Sequence, residues 1–194
     1  RLQITNSLGV GSSSANPSTP FSEVYAFGSR SFSIWDENGA LVFDSGDTLE
    51  RIIRDQFPSS WDDTRSDNKG PEPEGIEIGV IDGRTFLFVG LERTSQILAF
   101  DITDWTPVNQ VINYAGAIFT TGLVSPEGFQ FISAADSFDG NSYLAVAYEV
   151  GNATALYRLT AIPEPAAIGL MGAGLAGLLV TRRRKAIWSG RSKV

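Results

Sequence analysis

Apolar and polar positions alternate in short bursts along most of the first 160 residues. β-branched and aromatic residues dominate 31–36 and 40–44, which flank Glu37-Asn38-Gly39, a hairpin turn signal. The period changes over 47–57. There Leu49, Ile52, Ile53 and Phe57 fall at helical spacing and predict one amphipathic helix, with Ser45 or Asp47 as its N-cap and Pro58 as its stop. Residues 59–74 are polar apart from Trp61 and interrupt the strands. Strands resume at 76–81, 85–91 and 96–102, with Asp82-Gly83 in the first turn and residues 92–95 in the second; 108–114 is a fourth candidate. The pattern returns at 127–133, 142–149 and 154–160.

That return is a repeat in residue identity as well as in hydropathy. Pro73-Glu74-Gly75-Ile76 recurs as Pro126-Glu127-Gly128-Phe129, the stretch 86–92 as 143–149, and Leu98-Ala99-Phe100 as Ala155-Leu156-Tyr157. The offset is 53 residues at the first block and 57 at the others, the difference lying in the loop 136–141. A unit of about 50 residues with three or four strands is the size of a propeller blade, and a closed ring needs at least ~4 blades. The fold expected is therefore mainly β: a partial β-propeller of about three blades, a fragment of a larger ring, followed by a short C-terminal hydrophobic helix. The chain also begins with Arg1 and shows no N-terminal signal peptide, which fits the same reading of a C-terminal fragment.

The predicted helix is the apolar run 166–180, fifteen residues without a charge. As a helix it would span about 22 Å at ~1.5 Å per residue, short of the ~30 Å hydrocarbon core. It is apolar all round, whereas a helix packed on a soluble domain shows one polar face. Arg182, Arg183 and Arg184 follow it. Such a cluster can snorkel to the headgroups and stays cytoplasmic, which places the preceding residues on the exported side. Gly172, Gly174 and Gly177 fit the G-x-G-x-x-G spacing, but no βαβ unit surrounds them; small residues that allow close packing in lipid are the better account.

Pro163-Glu164-Pro165, the apolar run and the arginine cluster, in this order at the C-terminus, resemble the PEP-CTERM sorting signal of exosortase substrates. The resemblance implies export, a transient span in the inner membrane, cleavage near the triplet by an exosortase-type membrane protease, and a final place at the cell surface or outside the cell. The chain then divides into a domain (1–161), the signal (162–185, with the triplet 163–165, the span 166–180 and the basic cluster 182–185) and a cytoplasmic tail (186–194).

Charge follows the same division. The whole chain has 194 residues and a net charge of −7, but residues 1–161 hold 21 acidic and 9 basic side chains, a net −12, while the residues from 166 onward hold six basic and no acidic ones. An acidic domain argues against nucleic-acid binding. It suits a soluble surface protein or one that gathers divalent cations. The absence of Cys and His excludes disulfides, Cys/His zinc sites, Ser-His-Asp triads and thiol nucleophiles.

The segments 28–36, 42–46, 65–75, 88–93 and 125–128 resemble the choice-of-anchor I domain family, with the string from Arg65 to Gly75 as the most specific part. The resemblance implies a seven-bladed-propeller-like extracellular domain found with different surface anchors, some members of which carry an alkaline-phosphatase label.

Hard-cation chemistry is the chemistry this composition leaves open. Asp62, Asp63, Asp67, Glu72 and Glu74 crowd one stretch with Arg65 and Lys69. Asp63, Asp67 and Glu74, with Glu127 from the second repeat, are the candidate metal ligands, and Ca²⁺ is the candidate cofactor because it takes oxygen ligands. Arg65 and Lys69 are the candidate phosphate or anion contacts. The competing account is an acidic loop that is simply solvated. Glu74 and Glu127 are equivalent in the repeat, and either share a cation or bond to backbone N–H groups of the next unit. Glu92 and Glu149 also correspond, at strand ends that favour a turn role. No catalytic residue is assigned. The leading function is an exported, surface-sorted binding or scaffolding protein of the cell envelope, with exosortase, the membrane and extracellular polysaccharide as partners. The alternatives are a Ca²⁺-dependent phosphoric ester hydrolase of the same fold, or a structural extracellular-matrix component without a ligand site.

Overall fold

The computed structural model describes residues 3–5, 23, 25–28, 30–119 and 121–160. The expectations for the sorting signal, the hydrophobic helix and the tail fall on residues 161–194, outside the described residues. Among the described residues no helix is long and apolar enough to cross a membrane.

The described part is mainly β, built from three antiparallel sheets. A hairpin of β1 (Ser33–Trp35) and β2 (Leu41–Asp44) comes first, then α1 (Thr48–Gln56), a 3₁₀ turn (Pro58–Ser60) and the single turn α2 (Asp63–Ser66). A four-stranded meander follows: β3 (Pro73–Ile81), β4 (Arg84–Leu91), β5 (Ile97–Asp101) and β6 (Asn113–Ile118). A three-stranded meander closes the described region: β7 (Pro126–Ile132), β8 (Ser142–Tyr148) and β9 (Ala153–Leu159).

Three local expectations shift. The strand expected at 108–114 begins only at Asn113, because Thr106–Asn109 forms a turn instead: the Thr106 N–H donates to the Asn109 carbonyl, and the Asn109 N–H to Thr106 Oγ1, each at 2.9 Å. Asp47 occupies the N-cap of α1 without a side-chain cap bond. The Ser45 hydroxyl serves elsewhere, accepting the Phe32 N–H at 2.9 Å. The polar stretch 59–74 is not uniformly loop, since it holds α2 and the first residues of β3.

Strand β4 organises both cores. Its side chains alternate between the two sheet faces, and both faces are covered. Leu87, Val89 and Leu91, with Leu98 and Phe100 of β5, meet Leu49, Ile52 and Ile53 of α1 and Phe32. Phe32 and Phe100 pack with ring centroids 5.5 Å apart. Phe86 and Phe88 look the other way, and with Ile81 and Ile97 they pack against Leu144, Val146, Tyr148 and Leu159 of the second meander. The two repeat units are therefore stacked face to face. Asp101 anchors the far end of the first. It accepts hydrogen bonds from Thr103 and pairs with Arg84; burial disfavours its charge, but these partners hold the carboxyl below its ordinary range.

The stacking contact is closed by glycine. Phe129 of β7 lies over Gly75 and Gly90, and Phe131 lies over Gly79. Aromatic rings from one sheet thus fill the depressions that missing side chains leave in the other.

Candidate functional site

The repeat has a backbone signature that sequence comparison alone does not reveal. Glu72 and Ser125, each just before the Pro-Glu-Gly string, both take a left-handed backbone, with φ of 52° and 62°. Both turn the chain so that their carbonyls face the end of the neighbouring strand. The Glu72 carbonyl accepts the Glu92 N–H at 2.9 Å, and the Ser125 carbonyl accepts the Glu149 N–H at 3.0 Å. Each strand then carries a bulge directly after the proline. The turn role expected for Glu92 and Glu149 is visible in these backbone bonds.

In the first unit this geometry gathers three carboxylates. Glu72, Glu74 and Glu92 each offer an oxygen within 4.8 Å of the others. Two ligands on one Ca²⁺, each at ~2.3–2.6 Å, cannot lie more than about 5 Å apart, so the spacing is compatible with a shared hard cation. Two cationic side chains flank the group. Arg93 Nε donates to Glu72 Oε2 at 2.9 Å, and Lys69 Nζ stands 3.7 Å from Glu72 Oε1. Glu72 itself is 4 % exposed. In the second unit Ser125, Glu127 and Glu149 take the corresponding positions, so one of the three carboxylates is missing.

Of the sequence-derived candidates, Glu74 belongs to the converging group, and Lys69 touches it through Glu72. Asp63, Asp67 and Glu127 are not among its members. Asp63 opens α2, and Asp67 receives the Gln3 side-chain amide at 3.4 Å. Glu127 is exposed on β7, with its carbonyl against Gly75. Arg65 lies in α2. Glu72, singled out in sequence only as part of the acidic stretch, and Glu92, given a turn role, complete the group. No local signal marks the turn at Glu72, since a residue before proline is ordinarily extended, and the approach of Glu92, 20 residues away, depends on strand pairing. The loop 136–141 satisfies its own oxygens. Ser133 Oγ donates to Asp136 at 2.6 Å, and the Tyr143 hydroxyl donates to Asp139 at 2.7 Å.

The hydrogen bond with Glu72 and burial push the Glu92 carboxyl up from 4.5 to about 7, against the opposing pull of Arg93. The folded protein therefore binds more protons than the unfolded chain between about pH 4.5 and 7. This contribution to stability is full below pH 4.5 and is lost as pH rises through 7. The shift corresponds to about 3 kcal/mol at most. In chelator-treated protein, urea denaturation at pH 5 and pH 8 should show the wild type losing stability over this interval relative to Glu92→Gln. Parallel behaviour of the two proteins would remove the shared-proton account.

Comparison with known proteins identifies sequence relatives. The model of the choice-of-anchor I domain matches residues 1–105, and that of the PEP-CTERM protein-sorting motif matches residues 161–185. A mesenchyme-specific cell surface glycoprotein of Strongylocentrotus purpuratus is 31 % identical over 129 residues, covering 53 % of this chain and 17 % of that protein. Gigasin-3a of Magallana gigas is 22 % identical over 170 residues, covering 74 % of this chain and 60 % of that protein. The chain thus spans less than two thirds of the length of either relative. No solved structure matches it.

Proposed function

The chain belongs to the choice-of-anchor I domain family, and from that premise we propose that it is a binding or scaffolding protein of the cell envelope whose repeat units are blades of a propeller. It is an exported, surface-sorted protein, and its PEP-CTERM motif implies processing by exosortase. The observation that carries the proposal is the pairing, on one chain, of this domain with a sorting motif that follows it. Such an arrangement delivers a folded β unit to the envelope. The face-to-face stacking of two repeats, each with its own proline-marked entry strand, supports the blade reading. The Glu72, Glu74 and Glu92 group offers a place where a divalent cation could tie the domain to an acidic partner. The similarity to a cell surface glycoprotein agrees with a surface role.

Co-sedimentation tests the binding role. The purified full chain, mixed with polysaccharide-rich envelope material from its own host, should pellet with that material in a saturable way. A chain that stays in the supernatant at every concentration of envelope material overturns the proposal.

A further inference from the structure

The contact between the two repeat units uses one face of each sheet. Phe129 lies over Gly75 and Gly90, and Phe131 over Gly79. At the repeat offset of 53, Phe129 and Phe131 correspond to Ile76 and Ile78 of β3. These two are 52 % and 54 % exposed, and Val80, next on the same face, is 56 % exposed. Ile76 pairs in register with Val89 and Ile78 with Leu87. Val89 and Leu87 are buried beneath α1 and Phe32, so the cover stops one strand short of β3, the edge strand of its sheet. Three aliphatic side chains in a row on an open edge strand mark an interaction surface. In the second unit, the face equivalent to this one is the face that makes the contact.

The second unit is open on its opposite face. Gly128 and Ala147 are register partners there, and both are exposed. They correspond to Gly75 and Gly90, and Ile132, on the same face, corresponds to Gly79. Among the described residues, a methyl added to Gly128 would meet only the Ala147 side chain.

These two open faces match each other by volume. Within the chain, large inserts meet a deep floor: two phenylalanines over three glycines. On the open faces the inserts are smaller, isoleucine in place of phenylalanine. The floor is correspondingly higher, with Ala147 in place of Gly90 and Ile132 in place of Gly79. Packed contacts tolerate such opposed, volume-conserving exchanges best. An inserting face fits a receiving face and not another inserting face, so the contact between copies is heterologous.

We propose that a second copy of this chain docks on β3, its Gly128 and Ala147 face receiving Ile76 and Ile78, so that chains assemble head to tail through the kind of contact that stacks the two repeats within one chain. The inference goes beyond the binding role proposed above and stands without it, since a chain that fails to pellet with envelope material can still associate with itself.

The test follows the full chain in detergent by sedimentation velocity, from low to high micromolar protein. The mass should rise with concentration to a dimer or beyond, according to whether the free ends close on each other. Ile78→Glu and Ala147→Glu should each weaken association at least tenfold while still unfolding cooperatively, because both positions face solvent in the single chain. An equal mixture of the two variants should regain association and stop at a dimer, since one intact pair of faces remains. The chain has no cysteine, so Ile76→Cys and Ala147→Cys chains mixed under oxidation should give a disulfide-linked dimer that neither gives alone. A monomer at every concentration overturns the proposal. Undiminished association in both glutamate variants also overturns it, because the contact then lies elsewhere in the chain. A disulfide dimer formed as readily by Ile76→Cys alone does the same, because like faces then meet.

Discussion

Alanine at Gly75 is expected to destabilise the protein by about 2–3 kcal/mol, at the upper end of the ~1–3 kcal/mol usual for overpacking. Elsewhere in a strand the same change would help by roughly 0.5–1 kcal/mol, because alanine loses less backbone freedom on folding than glycine. At Gly75 an added methyl would overlap the Phe129 ring and lie 2.6 Å from the Glu127 carbonyl oxygen. The same ring also fills the space over Gly90, with its Cζ 2.5 Å from where a Cβ there would stand, so it is seated between two glycines at once. The clash must be relieved by separating the two sheets, which opens the core around Phe88, Leu144 and Val146. Gly128 supplies an internal control. It is the equivalent position in the repeat, yet a methyl there would meet only the Ala147 side chain, at 3.3 Å. Urea denaturation should therefore show Gly75→Ala strongly destabilised and Gly128→Ala within about 0.5 kcal/mol of the wild type, as expected away from a packed contact. Pairing Gly75→Ala with Phe129→Leu should recover part of the loss. Equal stability of the two alanine variants would mean that the stacking of the sheets does not depend on these glycines.

Replacing Pro163, Glu164 and Pro165 together with alanine should reduce the surface-exposed fraction of the protein at least tenfold and leave uncleaved chain in the membrane fraction. The triplet lies within the matched sorting motif, so it is the part a processing enzyme is expected to read. As a helix, the apolar run behind it would reach about 22 Å against a ~30 Å hydrocarbon core, short for a permanent span. That length would suit a chain held briefly and then cut. Loss of the triplet should block the cut without blocking export, and an antibody against the domain would then find the protein in washed membranes at full length. Undiminished release to the surface would sink the role assigned to the triplet.

The fold was legible over most stretches where it depends on neighbours in sequence. Asp82 and Gly83 form the expected turn, both with positive φ, and α1 buries the Leu49, Ile52 and Ile53 that its periodicity marked. The strand displaced to Asn113–Ile118 shows where such reading fails. Val108 and Val111 have strand-forming side chains, but the Thr106–Asn109 bonds set the local path, and Val108 is left exposed. The candidate site was legible by half. Glu74 stood out because it repeats, whereas Glu72 looked like one more acid in a solvated loop and proved to be the buried centre of the group.

Residue order alone thus determined the repeat, the strands and turns within it, the division of charge and the C-terminal sorting motif, because each is carried by residues close together along the chain. Only the tertiary structure decided which glycines receive a ring from the facing sheet, which carboxylates meet, and which sheet faces stay open. Those outcomes join residues about 20 to 60 positions apart. They depend on antiparallel register, on the left-handed turn at Glu72, and on the stacking of one sheet over another, and none of these is written in the chemistry of adjacent residues.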